Sequence, residues 1–285
     1  MNTWAAEEPP VLPPATPGGR IAGGLRLGAL VGVTLIAVAL FLVGRAMQGL
    51  LGGRITFHFR VARLWSRFVL GLAGIGLVVR GTPVASGALV ANHVSWLDIP
   101  ALRTVRLIYF VSKAEVANWP GVGFITRITG TIFIERRRSQ VKEQERVLRE
   151  RIAAEHLLCL FPEGTSTDGQ RVLPFKTSLF STFFDDGQGT EIPIQPVTLR
   201  YHVRENGNLP AGFYGWWGSM GFERHIWDVL TRSFGGRVEV IFHPPVTAAE
   251  FPDRKRLADH CQHAVMEGMA AGLPKMEAVG IAPET

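Results

Sequence analysis

The chain has 285 residues, 47% hydrophobic and 19% charged, with 30 Lys and Arg against 24 Asp and Glu. A mean hydropathy of +0.17 and a pI near 9.8 exclude bulk disorder and collagen-like repeats, and suit an anionic partner such as nucleic acid, lipid headgroups or a phosphorylated substrate. Two cysteines, Cys159 and Cys261, exclude a disulfide scaffold, no Cys-x-x-Cys pair offers structural zinc, and a reducing compartment fits.

Residues 1–26 are rich in Pro, Gly and Ala, with four prolines between Pro9 and Pro14, and read as a disordered tail. Residues 27–44 form an uncharged stretch of 18 residues flanked by Arg26 and Arg45, long enough for a transmembrane or membrane-embedded helix. A core helix rarely stays apolar all round, and Glu7 and Glu8 argue against a cleaved signal. Arg45, Arg54, Arg60, Arg63 and Arg67 follow with no acid among them, which places the remainder on the cytoplasmic face of the membrane. Alternating with Phe57, Phe59, Val61, Leu64, Trp65 and Phe68, they make 45–74 an interfacial helical region, with a packed surface helix as the alternative.

From residue 75 short apolar runs alternate with amphipathic ones, the pattern of an α/β domain with a mixed sheet flanked by helices. Strands are expected at 76–80, 88–91, 107–111, 131–135, 157–161, 192–202 and 237–243. Helices are expected at 96–104, 114–128, 139–155, 176–185, 222–232 and 247–271. The loop at 204–221 carries Tyr214, Trp216 and Trp217, and exposed tryptophans near an anchor suggest contact with the membrane interface. Residues 273–285 read as a tail.

Asn92-His93-x4-Asp98 lies where a strand gives way to a helix, the end of an open α/β sheet that receives ligands. A carboxylate five residues on can fold back to fix the imidazole tautomer, making a general base with its orienter; a structural histidine is the alternative. No Gly-x-Ser-x-Gly is present, so the hydroxyl to be activated comes from a substrate. Phe161-Pro162-Glu163-Gly164-Thr165-Ser166 and the run Arg136-Arg137-Arg138 also follow strands, where an arginine can grip a phosphate. Neither Walker A nor Gly-x-Gly-x-x-Gly occurs, so no nucleotide cofactor is implied. The basic residues lack the aromatic interleaving of a nucleic-acid footprint. His260 and His263 sit on a charged amphipathic stretch rather than in a metal site.

Taken in order, Asn92-His93-x4-Asp98, then Gly130-Thr131-Ile132-Phe133-Ile134-Glu135-Arg136, then Phe161-Pro162-Glu163-Gly164-Thr165, then Ile192-Pro193-Ile194-Gln195-Pro196 resemble the four blocks of the glycerolipid acyltransferase family, whose best known members are 1-acylglycerol-3-phosphate acyltransferases. The similarity covers about residues 76–202. It implies an acyltransferase domain over 75–272, in which His93 is the base and Asp98 its orienter. Arg136, Glu163, Gly164 and Thr165 would hold the acceptor headgroup, and Lys176 could add a cation. The implied reaction moves a fatty acyl group from acyl carrier protein or CoA, as co-substrate, to a lysolipid hydroxyl, with no acyl-enzyme, no further cofactor and no metal. Membrane lipids are the implied partners, and nucleic acid is not among them.

Many phosphatidate-forming members carry Arg where this chain has Ser166. With Leu173-Pro174-Phe175-Lys176 and Gly215-Trp216-Trp217-Gly218, that residue resembles the bacterial branch containing lyso-ornithine lipid acyltransferases. Both acceptors stay open. A serine thioesterase or lipase and a non-catalytic module binding anionic lipid are the competing readings.

Overall fold

The computed structural model describes residues 8–51, 57–134, 141–185, 187–205 and 207–271. Seven strands form one mixed sheet in the order β1-β9-β8-β2-β5-β3-β4. They are β1 (Ile75–Arg80), β2 (Gly87–Ala91), β3 (Tyr109–Lys113), β4 (Ile132–Ile134), β5 (Leu157–Leu160), β8 (Ile194–His202) and β9 (Gly236–Phe242); β6 (Phe184–Asp185) and β7 (Gln188–Gly189) make a separate hairpin. All neighbours in the large sheet run parallel except β8 and β9. The continuous apolar runs of β2 and β5 are buried at every residue, as expected of parallel strands covered on both faces.

One face packs Leu89, Cys159, Phe110, Leu199 and Val240 against α2 (Phe57–Leu72), α3 (Asp98–Val105) and α6 (Phe222–Arg232). The other packs Ala88, Val90, Leu158 and Ile194 against Leu148 and Ile152 of α5 (Val141–Ala153), and Leu257, Cys261 and Val265 of α7 (Arg254–Ala270). The short α4 (Val122–Ile128) lies between β3 and β4. Parallel β2, β5, β3 and β4 therefore end on one edge of the sheet.

Five expectations need correction. The tail at 1–26 is ordered over much of its length, because α1 runs Pro17–Leu51 and Leu12 packs on the core. Pro17 begins the helix and Thr16 Oγ1 accepts the Gly19 N–H at 3.1 Å, a serviceable N-cap. The glycines read as disorder are a close helix contact: a Cβ on Gly23 would lie 2.4 Å from Thr231 Cγ2 of α6. Nearby, Arg26 donates to the carbonyls of Leu230 and Ser233 at 3.1 and 2.8 Å.

In the region 45–74, α2 packs one face on the domain and leaves Phe57, Leu64 and Phe68 exposed on the other, so the interfacial and the packed readings both keep their basis. In α2, His58, Val61, Ser66, Val69 and Leu70 are buried, Arg63 donates to Thr104 O, and Trp65 donates to Thr34 Oγ1 of α1. The tryptophans of 204–221 are not exposed, since Trp217 and Tyr214 are buried and Trp216 is half-buried. Two long helices are broken at prolines, which cannot donate to the helix ladder. Residues 114–128 divide at Pro120 into a 3-10 turn, Ala114–Asn118, and α4; residues 247–271 divide at Pro252 into a turn at Ala248–Glu250 and α7. Residues 176–185 likewise hold a 3-10 turn, Thr177–Phe183. The tail at 273–285 lies outside the described residues.

Helix α1 is the one described helix long and apolar enough to cross a membrane. It spans about 52 Å at 1.5 Å per residue and leaves Leu25, Leu35, Ile36 and Leu50 exposed.

Candidate active site

The chain leaves β2 at Ala91, and Asn92 continues the strand through its side chain. Its Oδ1 accepts the Leu199 N–H at 2.8 Å and its Nδ2 donates to Leu199 O at 3.0 Å. This amide, fully buried, satisfies both backbone groups of one β8 residue, which no apolar side chain could do. It fixes where the next residue, His93, emerges.

Asp98 opens α3 and folds back as the spacing predicts. Its Oδ2 accepts from His93 Nδ1 at 2.7 Å and from the Val94 and Ser95 N–H groups at 2.8 and 3.0 Å. Its Oδ1 accepts from the Tyr201 hydroxyl at 2.8 Å. A carboxylate accepting at Nδ1 requires the proton there, which leaves the Nε2 lone pair open. Among the described residues no hydrogen bond engages Nε2. The His93 side chain is 22% exposed while that of Asp98 is 0%, so the ring meets solvent and its orienter does not. Such a pair can take a proton from a bound hydroxyl and return it to a leaving group.

The Phe161-Pro162-Glu163-Gly164-Thr165 block follows β5, next to β2 in the sheet. Phe161 stacks on the His93 ring, centroids 4.3 Å apart. Glu163 is 2% exposed, and its two oxygens accept the His93 and Leu173 N–H groups at 2.9 and 3.1 Å. The resemblance gave this residue to the acceptor; the structure instead occupies both oxygens in joining two loops. Burial pushes its carboxyl up to about 8, against the opposing pull of those two donors. Gly164 has φ +66°, and its α-carbon lies under Lys176, whose Nζ would be 2.1 Å from an added Cβ. Pro162 O accepts the Lys176 N–H at 3.0 Å, which holds Lys176 beside the turn at 161–165, where Thr165 is half-buried.

Arg136, with Arg137 and Arg138, lies outside the described residues. Gly130 (φ +77°) packs on the Tyr109 ring, and Phe133 pairs with Ser112 in the β3–β4 ladder. Pro193 O accepts the Ala88 N–H at 2.9 Å. Pro196 pairs with Val90, just before the β8–β9 ladder begins at Val197 and Phe242, so its missing N–H breaks no ladder bond. These four residues shape strands rather than border His93.

Three contributors were not legible as site residues. Tyr201 is buried, and burial with the Asp98 charge beside it pushes the phenol well above its usual range, keeping it a donor. Thr167 donates its N–H to His93 O at 3.0 Å, and Trp216 donates its N–H to Val94 O at 2.9 Å. Ser166 turns inward onto Trp216 O. Thr167 neighbours a recognised block, which could have flagged it; Trp216 stands in the 215–218 run, but nothing there tied it to His93, and Tyr201 carries no such signal. Trp96, Trp119, Trp216 and Phe222 form a half-buried aromatic cluster beside this segment. Burial lowers His225 to about 4, so its neutral Nδ1 accepts from Trp96 Nε1 at 2.9 Å.

A family model described as Acyltransferase matches residues 81–200. A lyso-ornithine lipid O-acyltransferase from Rhodobacter capsulatus is 44% identical over 268 residues, covering 93% of this chain and 96% of the relative. A 1-acyl-sn-glycerol-3-phosphate acyltransferase from Neisseria meningitidis is 32% identical, covering 81% and 89%. The crystal structure of the 1-acyl-sn-glycerophosphate acyltransferase from Thermotoga maritima superposes with a TM-score of 0.62 at 20% identity, covering 90% of this chain and 100% of that one, a likeness of fold.

Proposed function

The chain belongs to the acyltransferase family, and from that premise we propose a membrane-bound O-acyltransferase that moves a fatty acyl group from an acyl carrier protein or CoA thioester to a lysolipid hydroxyl. The observation that carries the mechanism is the His93 ring, 22% exposed to solvent on one side and held on the other by a fully buried carboxylate. His93 Nε2 takes the acceptor's hydroxyl proton as that oxygen attacks the thioester carbonyl. The carbon–sulfur bond then breaks, and the imidazolium returns the proton to the departing thiolate, giving the ester and a free thiol. Asp98 steadies the transient imidazolium.

Lyso-ornithine lipid is the acceptor we favour, with lysophosphatidate as the alternative. Ser166 stands where phosphatidate-forming relatives carry a cation, and it is 6% exposed and turned onto a carbonyl. Arg136, Thr165, Lys176 and the Gly164 backbone would bind the headgroup, and the tryptophans beside His93 would flank a chain. The exposed apolar length of α1 would hold the protein at the membrane, with the catalytic domain on the cytoplasmic face.

The test assays both lysolipids with one radiolabelled acyl donor, on the wild type, His93→Ala and Asp98→Asn. Ester should form with lyso-ornithine lipid, vanish in His93→Ala, and fall by up to about 10⁴-fold in Asp98→Asn, the loss that removing the orienting acid causes in a Ser-His-Asp triad. Turnover retained in a folded His93→Ala protein would overturn the mechanism. Release of free fatty acid independent of lysolipid would favour a thioesterase.

A further inference from the structure

Three arginines converge on one phenol at the end of the sheet opposite His93. Tyr109 opens β3 and His156 precedes β5, so both lie where these parallel strands begin, whereas His93 lies where the neighbouring β2 ends. The guanidinium of Arg151, in the last turn of α5, stands over the Tyr109 ring, 5.6 Å from Cζ to centroid. The His156 ring packs on Tyr109, centroids 4.4 Å apart, and its Nδ1 is buried without a hydrogen-bond partner. Phe59 of α2 meets Tyr109 edge-on at 6.5 Å. Gly44 of α1 rests on the adjacent Phe57 and His58, where an added Cβ would come within 2.9 and 3.1 Å, and this contact brings Arg45 to the same corner.

The charges that act on Tyr109 are Arg151, Arg45 and Arg103, with no acid among them. The same holds for His58, beside Arg45, and for His156, beside Arg151. Among the described residues no ion pair or hydrogen bond engages the side chain of any of the three arginines; Arg103 is turned onto the Phe110 ring. Glu155, next to His156 in the chain, is exposed and offers Arg151 no ion pair. Like charges gathered without a counter-ion destabilise one another until an anion joins them. The corner also marks the end of the apolar run. Residues 27–44 carry no charge and Arg45 is the first after them, while Met47, Leu50 and Phe57 stay exposed at the same end of the helix pair. Arginines at that depth meet lipid headgroups, and apolar side chains beside them meet the start of the acyl tails.

We infer that this corner binds the phosphodiester of an anionic membrane phospholipid between Arg45 of α1, Arg151 of α5 and the Tyr109 hydroxyl. Cations approaching from separate elements suit a phosphate, whose oxygens accept in several directions, better than a planar carboxylate, which one guanidinium fork satisfies. Buried Arg103 adds positive potential from behind. Burial outweighs the arginines and holds the phenol above its usual range, so its hydroxyl stays a donor. A choline headgroup would carry its own cation toward three arginines and is disfavoured. The site is distinct from the acyl-transfer centre, at the other end of the sheet, and would seat the domain on the bilayer through one kind of lipid. It rests on the proposed membrane seat of α1 and not on the chemistry at His93.

The experiment measures binding of radiolabelled short-chain phosphatidylglycerol to the full chain in neutral detergent, beside phosphatidylcholine of the same chains and inorganic phosphate. A second arm floats the full chain with phosphatidylcholine vesicles, with and without phosphatidylglycerol. Phosphatidylglycerol should bind saturably and about tenfold tighter than phosphatidylcholine. Arg151→Gln and Arg45→Gln should each weaken it about fivefold, the worth of one arginine near a headgroup. Tyr109→Phe, which changes no charge, should weaken it about threefold through the lost hydrogen bond. Arg224→Gln removes an equal charge from a side chain 78% exposed on α6 and should change nothing. Acyl transfer in detergent should persist in all four variants. Equal binding of the two lipids, phosphatidylglycerol binding that survives Arg151→Gln and Arg45→Gln in folded protein, or an equal loss in Arg224→Gln would overturn the site. Binding unchanged by Tyr109→Phe would overturn the phenol as a contact, and inorganic phosphate bound as tightly as the lipid would overturn the membrane as its source. Failure to float with either vesicle would overturn the membrane seat on which the site rests.

Discussion

Tyr201 donates its hydroxyl proton to Asp98 Oδ1 at 2.8 Å, on the side of the carboxylate away from His93, and both groups are buried. The carboxylate is thus gripped from behind by β8 while its other oxygen holds the ring and two backbone N–H groups. Tyr201 does not touch the reacting atoms; it is a positioning residue. Tyr201→Phe keeps the ring packing and removes one hydrogen bond to a charged group, worth about 1.5–3 kcal/mol. We expect kcat to fall about 10- to 100-fold with both KM values nearly unchanged. The effect should disappear when Tyr201→Phe is added to Asp98→Asn, since the two act as one unit. Additive losses, or a change confined to KM, would mean the hydroxyl serves only packing.

Glu163 predicts a pH dependence of stability. Its folded value is raised to about 8 from 4.5, so the protonated form is favoured in the native state. The stabilisation this brings is complete below about pH 4.5 and is lost as pH rises through about 8. The melting temperature of the wild type should therefore decline across that window. Glu163→Gln cannot ionise, but its amide nitrogen would face one of the two N–H donors, at a cost of about 1–3 kcal/mol. The variant should melt lower than the wild type at pH 5, with the gap narrowing by pH 9. A gap that stays constant in parallel thermal melts would show that Glu163 does not titrate in this range.

The parts of the site legible in the sequence are those made by local geometry. His93 and Asp98 meet across five residues of one turn, and the apolar runs of β2 and β5 announce buried parallel strands because both faces are covered. What escaped detection is made at long range. Tyr201 reaches Asp98 across 103 residues, and Trp216 reaches Val94 from a loop whose motif marks it without saying which residue it meets. Glu163 was legible as a site residue but not by its task, because a conspicuous carboxylate in a ligand-binding block looks the same whether it faces a substrate or two backbone N–H groups. The glycines of α1 misled for a related reason. A helix that must approach another closely and a chain that does not fold share one composition, and only the neighbour distinguishes them.

Asn92 should tolerate almost nothing. Alanine there leaves the N–H and C=O of Leu199 unpaired in a fully buried position, costing about 1–3 kcal/mol for each group so stranded. Aspartate keeps the acceptor and loses the donor, so it should fall between. Denaturant unfolding of Asn92→Ala and Asn92→Asp should give that order, and equal stabilities would show that water replaces the amide.

The contact between α1 and α6 predicts that neighbouring glycines respond in opposite directions. A Cβ at Gly19 would come within 2.7 Å of the Thr231 carbonyl oxygen, and one at Gly23 within 2.4 Å of Thr231 Cγ2, whereas Gly24 and Gly28 have nothing within 4 Å. Gly23→Leu must push the helices apart, strain the paired Arg26 contacts and cost about 1–3 kcal/mol. Gly24→Ala and Gly28→Ala place a better helix former where space is open and should stabilise by about 0.5–1 kcal/mol each. The apolar side chains that α1 exposes are untouched in all three, so co-sedimentation with vesicles should stay at the wild-type level while melting temperatures diverge. If Gly23→Leu and Gly28→Ala shifted the melt in the same direction, α1 would not rest on α6 through its glycines.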